Sequence, residues 1–239
     1  MIRRSQFASE PQRFLASAIL CGGLVMALAL RVHAQDASPQ ESSGDKDSAS
    51  IQEDFDRGVE ALRKGKIQEA LQRLDRVAEK SPASVPHLWQ RGIAQYLAGE
   101  YKAGRLQFEQ HRVVNPSDVE NATWHFLCVA AEEGVDAARK AFLPAPQDSR
   151  VPQAEIYALY QGTGDREGIE RAVAKLPEGS AARRTARFYA DLYLGLYAHA
   201  LGNKDEAKKY LDAAAAVTGM NVMGDVARVC RDTLPETAR

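Results

Sequence analysis

The residue types that could do chemistry are scattered along this chain. The histidines after residue 34, which fall in different segments, are His87, His111, His125 and His199. His125 lies three residues before Cys128 and near Glu132, so on one helix these side chains could supply two or three metal ligands. The alternative is a buried histidine beside a buried thiol, and we favour it because no Cys-x-x-Cys or His-Glu-x-x-His pair is present. The sequence therefore predicts no metal site and no cofactor.

A glycine-rich segment, GTGDREG at residues 162–168, superficially resembles a phosphate-binding loop. It follows a predicted helix rather than a strand, and its glycine spacing differs from that of the known loops. We interpret it as a turn followed by the start of a helix. Since no nucleophile-elbow sequence is present either, we expect no catalytic residue and no enzymatic activity.

Composition narrows the class of protein. The chain has 239 residues, of which 45% are hydrophobic and 26% are charged, and this is ordinary globular usage. It excludes a wholly disordered chain and a disulfide-rich miniprotein. The net charge of −1 provides no basic face, so we expect no nucleic-acid partner.

The first 34 residues have the pattern of a secretory signal peptide. Arg3, Arg4 and Arg13 precede an uncharged run at 14–30, and the sequence Val-His-Ala ends at Ala34. We predict cleavage after Ala34 and export to the periplasm or cell envelope, with no membrane insertion of the mature chain. A retained anchor stays open because the run is about long enough to span a bilayer. The Ser- and Asp-rich segment 35–50 is predicted to be a disordered linker.

A 34-residue period runs through the rest of the chain. Glycines and prolines mark it at fixed offsets: Gly58, Gly65 and Pro82, then Gly92, Gly99 and Pro116, and later Gly195 and Gly202. This period is typical of tetratricopeptide repeats (TPR), in which two helices joined by a glycine turn stack on the next pair. We therefore predict an all-α fold, a TPR-like α-α superhelix, over residues 51–239. Small residues would allow the helices to cross closely at Gly58, Ala70, Gly92, Gly104, Gly195 and Ala207.

The predicted units follow from apolar spacing and helix breakers. They are 51–84, 85–118, 119–143 and 151–177 (both degenerate), and 183–218, followed by a capping helix at 221–234. Their helices are predicted at 51–64, 67–80, 85–98, 101–114, 118–132, 135–142, 152–162, 165–176, 183–201 and 204–217. Pro144 and Pro146 mark either a kink or a hinge. A Cys128–Cys230 disulfide is disfavoured, because distant units of a stack do not touch.

Part of the chain also resembles the NlpI-type family of bacterial envelope lipoproteins. The segments concerned are Arg91-Gly92-Ile93-Ala94 through Gly99, Trp124-His125-Phe126-Leu127, Ala154-Glu155-Ile156-Tyr157, and Phe188-Tyr189 through Gly202. The resemblance implies a non-catalytic, dimerising TPR adaptor that brings an envelope hydrolase to a protease. That family carries a lipid on a cysteine after its signal, and Cys21 does not fit that role.

The predicted superhelix has a concave groove lined by the first helix of each unit. Residues spaced by three or four share one helical face, and those expected to bind a partner are Phe55, Val59, Leu62, Trp89, Ile93, Tyr96, Leu127, Tyr189, Leu192 and His199. For Trp89 and Tyr189, packing in the core is the alternative. Arg63 and Arg91 could capture an acidic tail, although we favour a local ion pair for Arg91.

We thus expect an exported adaptor that binds a protein or peptide client in its groove. The client could be an envelope hydrolase or protease, and a homodimer is compatible with the pattern. Two alternatives stay open: a self-associating structural module, and a non-catalytic accessory of an envelope hydrolase or protease.

Overall fold

The computed structural model describes residues 43–145 and 148–237, and within them it contains helices and no strands. The α-helices are α1 (Ser43–Arg63), α2 (Ile67–Lys80), α3 (Trp89–Leu97), α4 (Tyr101–Val114), α5 (Val119–Glu133), α6 (Val135–Lys140), α7 (Gln153–Gln161), α8 (Arg166–Ala174), α9 (Ala181–Ala200), α10 (Lys204–Ala215) and α11 (Val222–Thr237). A 3₁₀ helix spans Pro82–His87. The predicted all-α class is confirmed for the described residues.

The largest difference from the predicted boundaries is at the first helix. It begins at Ser43 rather than at residue 51, so the second half of the predicted linker is helical. Serine and aspartate are common both in linkers and in the first turn of a helix, so composition does not separate the two. The predicted signal peptide and residues 35–42 lie outside the described residues.

The third predicted helix, in contrast, begins later than expected, at Trp89 instead of residue 85. Pro82 and Pro86 both lie in the 3₁₀ segment, where proline lacks the N–H that an α-helix would need. Two side chains of α4 fix this segment. Gln107 Nε2 donates to the Val85 carbonyl at 2.6 Å, and His111 Nδ1 lies 2.7 Å from the Pro86 carbonyl oxygen.

Three helix pairs share the same close contact, with a glycine on the first helix and a large residue sixteen positions later on the second. A Cβ built on Gly58 would lie 2.8 Å from Leu74 Cγ. Built on Gly92 it would lie 2.7 Å from Phe108 Cζ, and on Gly195 2.8 Å from Leu211 Cγ. Only glycine permits these approaches.

The sequence predicted a small residue opposite each of these glycines, and the structure corrects the partner. Leu74 and Leu211, four positions after Ala70 and Ala207, fill the contact instead. A small-to-small approach occurs in the second pair, where a Cβ on Gly104 would lie 3.3 Å from the Gly92 carbonyl oxygen. Ala70 and Ala207 are fully buried within their helices.

A buried carboxylate fastens α1 to α2. Asp54 of α1 is bound by three cations of α2: Arg73 and Lys80 at 3.0 Å and Arg76 at 3.1 Å. The hydrogen bonds from Arg76, Lys80 and Arg73 hold the pKa of Asp54 well below its usual range. The cations lie at i, i+3 and i+7, so one face of α2 carries all three.

Neighbouring helices pack in chain order, and contacts between distant helices complete the core. The described residues, 43–145 and 148–237, belong to one compact unit. In addition to α10, helix α11 contacts α1, α3 and α9, and α5 contacts both α7 and α9. The helices on either side of the Pro144–Pro146 break are therefore in contact, although Pro146 itself lies outside the described residues. Among the described helices, none combines the length and apolarity that crossing a membrane requires.

Candidate functional site

Half of the predicted groove residues belong to the core. Leu62, Ile93 and Leu192 have no exposed surface, Leu127 is 1% exposed and Tyr96 is 3% exposed. Their shared helical face was predicted from the spacing, but the expectation that they line an open groove is wrong for these five residues.

Two kinds of contact cover the inner face, by which we mean the side of the helices that carries these five residues. The first is aromatic packing: the Tyr96 ring meets Trp124 edge-on at 5.6 Å, and Trp124 stacks with Phe108 at 6.5 Å. The second is the return of α11 onto α1 and α3. Its Cys230 is fully buried, and a hydrogen bond connects His199 with the backbone of Leu234. An array with a free concave side would leave these residues in water, whereas here other helices cover them.

The other five predicted groove residues are half-buried. They are Phe55 and Val59 on α1, Trp89 at the start of α3, and Tyr189 and His199 on α9. Phe55 and Trp89 are 34 residues apart, so they occupy equivalent positions on α1 and α3, which are in contact. We call Phe55, Val59, Trp89 and Tyr189 the half-buried row. His199 differs from them because its Nδ1 faces the Tyr96 hydroxyl at 3.5 Å.

Tyr189 lies close to a charged cluster. Its ring stacks on Tyr193 with a centroid distance of 6.4 Å and an interplanar angle of 8°. The buried Tyr193 hydroxyl donates to Glu120 Oε2 at 2.9 Å. The exposed edge of Tyr189 therefore lies next to charged groups on α5.

That cluster is centred on Arg150, which lies between α6 and α7. Its guanidinium pairs with Glu120 at 2.5 Å, Asp148 at 2.6 Å and Asp118 at 2.8 Å. Asp118 caps α5 by accepting from the Glu120 N–H, and Asp148 accepts from the Val119 N–H at 3.3 Å. Carboxylates at a helix N-terminus suit the helix dipole. We call Asp118, Glu120, Asp148 and Arg150 the Arg150 cluster.

The Glu120 carboxyl of this cluster titrates near neutrality. Burial raises its pKa to about 7, the Asp118 charge adds to the shift, and Arg150 and the Tyr193 hydroxyl oppose it. Nearby, the pKa of Asp148 is lowered, because hydrogen bonds from Arg150 outweigh the effect of burial. The cluster therefore gains or loses a proton at Glu120 close to physiological pH, while Asp148 stays charged.

The residues considered for metal binding are engaged elsewhere. His125 Nε2 lies 3.3 Å from Glu109 Oε1, and burial lowers the pKa of this histidine. Cys128 packs against Gly104, where a Cβ would come within 2.9 Å of its Sγ. In the described part of the chain, no group of three His, Cys, Asp or Glu side chains is arranged to hold a metal ion. Cys128 and Cys230 are both buried free thiols.

The two arginines considered for capture of an acidic tail both have partners. Arg91 pairs with Asp75 at 2.7 Å, so the predicted local ion pair is confirmed. Arg63 pairs at 2.5 Å with Asp225, which lies on α11 and 162 residues further along the chain. The GTGDREG segment is a turn and helix start, as predicted, because Gly162 has φ +84° and Asp165 caps α8.

Sequence reasoning missed the Arg150 cluster. Asp118 could have been recognised as an N-cap, because an aspartate immediately before an apolar run is a helix-start signal. The pairing of Arg150 with carboxylates about 30 residues earlier has no such local signal, since it depends on how Asp148 and Arg150 are placed against the start of α5.

We compared the chain with known protein families and curated proteins. No protein-family model matches the chain, and no curated protein matches it.

The raised pKa of Glu120 predicts that this site makes the fold less stable as pH rises. Folded Glu120 holds its proton between about pH 4.5 and 7, whereas the unfolded chain has already lost it, so stability from this group falls through that window. We expect Glu120→Gln to remove about 2–3 kcal/mol of this decline, as measured by urea unfolding at pH 5 and pH 8.

The difference between wild type and Glu120→Gln isolates the effect from other titrating groups. His125 and His199 have lowered pKa values and act with the opposite sign, while the raised pKa of Asp191 acts with the same sign. These groups are common to both proteins. Identical pH profiles for the two proteins would show that Glu120 has an ordinary pKa.

Proposed function

We propose that this protein is a non-enzymatic scaffold of the TPR type, exported to the bacterial envelope, that binds a protein or peptide client. The observation that carries the proposal is the recurrence of one helix-pair contact, Gly58–Leu74, Gly92–Phe108 and Gly195–Leu211, at a single spacing. A repeated helical hairpin is an architecture whose usual role is to present an extended binding surface.

The half-buried row is the client-binding surface in this proposal. It keeps aromatic area in contact with solvent, while its neighbours on the same helical faces are buried. Trp and Tyr contribute much of the energy at protein interfaces, because they bury a large area with few rotatable bonds. Beside them, the Arg150 cluster offers charged groups that could set the orientation of the client.

The test is co-purification of the tagged full-length protein with its client from the cells that produce it. We expect Trp89→Ala and Phe55→Ala to reduce client recovery at least tenfold while the circular dichroism spectrum is unchanged. Leu201→Ala is the matched control, because Leu201 is a 43% exposed apolar residue at the end of α9 and belongs to neither proposed surface. Equal client recovery from all three variants would contradict the assignment of the surface.

Self-association is the second candidate, and a specific surface favours it. Leu106 and Val113 of α4 are seven residues apart, share one helical face, and are 52% and 80% exposed. Under this alternative, light scattering detects a dimer that Val113→Asp converts to a monomer. If the protein is a monomer and Trp89→Ala loses the client, the result favours the scaffold function over self-association.

A further inference from the structure

The last described helix, α11, covers part of the inner face. Its sequence is amphipathic, as a helix packed on that face by one side should be. Its core-facing apolar side chains include Met223, Val226, Ala227, Cys230 and Leu234, and Val229 is buried as well. The first five follow the i, i+3, i+4, i+7, i+11 spacing of a single apolar stripe. Through this stripe α11 packs on α10 and reaches α1, α3 and α9.

One ion pair fixes the register of α11 on α1. Asp225, in the first turn of α11, is 8% exposed and accepts from Arg63 Nε at the end of α1. Arg228, one turn later, also pairs with Asp225. The turn after α1 lies directly beneath, since a Cβ on Gly65 would be 3.6 Å from Val229. An acidic residue and an apolar stripe are thus the two features that this surface recognises in α11.

The connection to α10 is compatible with movement of α11 as a unit. Residues 216–221 lie between the two helices, and Gly219 there has φ +79°. A glycine in this conformation has access to backbone angles that other residues avoid, so rotation at one or two positions can swing the helix. Arg63 keeps a side chain that is 46% exposed, which leaves its guanidinium reachable from solvent.

We propose that α11 is an exchangeable occupant, and that the surface it covers on α1, α3 and α9 is a second binding site for a client helix. The ligand is an amphipathic helix of another protein that carries an apolar stripe of the same spacing and, two residues after the first residue of that stripe, a carboxylate opposite Arg63. Binding this helix displaces α11, because both need Arg63 and the same apolar surface. This inference rests on the proposed scaffold function and names the chemistry of its client.

The test uses the full-length protein and a fluorescein-labelled synthetic peptide of residues 220–237 as the probe helix. Asp225→Arg in the protein weakens the internal helix but leaves Arg63 in place. We expect this variant to bind the probe at least tenfold more tightly than wild type in fluorescence anisotropy. Asp232→Arg is the matched control, because Asp232 is exposed on the same helix and pairs with its neighbour Arg231 rather than with α1.

A charge swap tests the role of Arg63. A probe with Asp225→Arg should lose its binding to the Asp225→Arg protein. It should instead bind an Arg63→Glu protein, whose own Asp225 is repelled by the new carboxylate while the arginine of the probe is attracted to it. A folded Asp225→Arg protein that binds no probe overturns the proposal. If the wild-type protein forms a concentration-dependent dimer that the probe cannot dissociate, the occupant is α11 of a second copy, and the assignment to a foreign helix is wrong.

Hydrogen exchange of the wild-type protein decides the matter if Asp225→Arg does not fold. We expect amides of α11 to exchange at least tenfold faster than those of α5 and α9, through an opening that leaves the rest folded. Equal protection of the three helices overturns the proposal. If Trp89→Ala loses the client but the probe does not bind, the proposed scaffold function stands and the inference about α11 fails. If the probe binds but no client is recovered, the inference about α11 stands and the proposed scaffold function fails.

Discussion

Tyr96→Ala should lower the free energy of unfolding by about 3–5 kcal/mol, which is the range for removing a large side chain from a packed core. Tyr96 is 3% exposed, and its ring lies 5.6 Å from both Tyr101 and Trp124. Urea unfolding followed by circular dichroism measures the change. Trp89→Ala is expected to cost less than half as much, because Trp89 is half-buried and part of its ring stays in water.

Tyr96→Phe provides the control for the hydroxyl group. It keeps the ring, and the hydroxyl it removes faces His199 Nδ1 at 3.5 Å, a distance at which a hydrogen bond is weak. We expect a loss below about 1 kcal/mol. If Tyr96→Ala cost less than about 1 kcal/mol, Tyr96 would be in an open groove after all, and the closure of the inner face by α11 would be wrong.

The helices were predictable because their signals are local. The boundaries of α2 at 67–80 and α4 at 101–114 follow from apolar spacing between a glycine turn and a proline, and the structure has the same residues. The errors also have local causes. Pro86 converts the expected first turn of α3 into a 3₁₀ helix, and the Ser/Asp-rich start of α1 has the same composition as a linker.

Exposure of the site was not predictable, since it depends on contacts between residues far apart in the sequence. The spacing of Leu62, Tyr96 and Leu127 predicts that each faces inwards on its helix. Whether water reaches that face depends on α11, which meets α1 through a pair 162 residues apart, and on the contact between α5 and α9. No periodic pattern reports either contact. The Arg150 cluster was missed for the same reason.

The repeated glycine contact leads to a second large expected effect. We expect Gly195→Ala to destabilise the protein by about 2–3 kcal/mol, even though alanine gains up to about 1 kcal/mol over glycine inside a helix. A Cβ on Gly195 would lie 2.8 Å from Leu211 Cγ and 3.1 Å from the Leu211 backbone nitrogen. The side chain can rotate away, but the backbone of α10 must shift as a whole.

Two other glycines separate the cost of the close contact from the gain in helix propensity. At Gly92 the close atoms all belong to the Phe108 ring, so Gly92→Ala should cost less than Gly195→Ala, and Phe108→Leu should relieve part of that cost. Gly168→Ala is the matched control within a helix, because its nearest neighbour is the Asp165 side chain at 3.3 Å. There the helix-propensity gain should dominate, leaving stability unchanged or slightly raised. Thermal and urea unfolding measure the stability of these four variants relative to the wild-type protein. If Gly195→Ala were as stable as Gly168→Ala, α9 and α10 would not cross at Gly195, and the repeated contact that supports the scaffold proposal would lose its third copy.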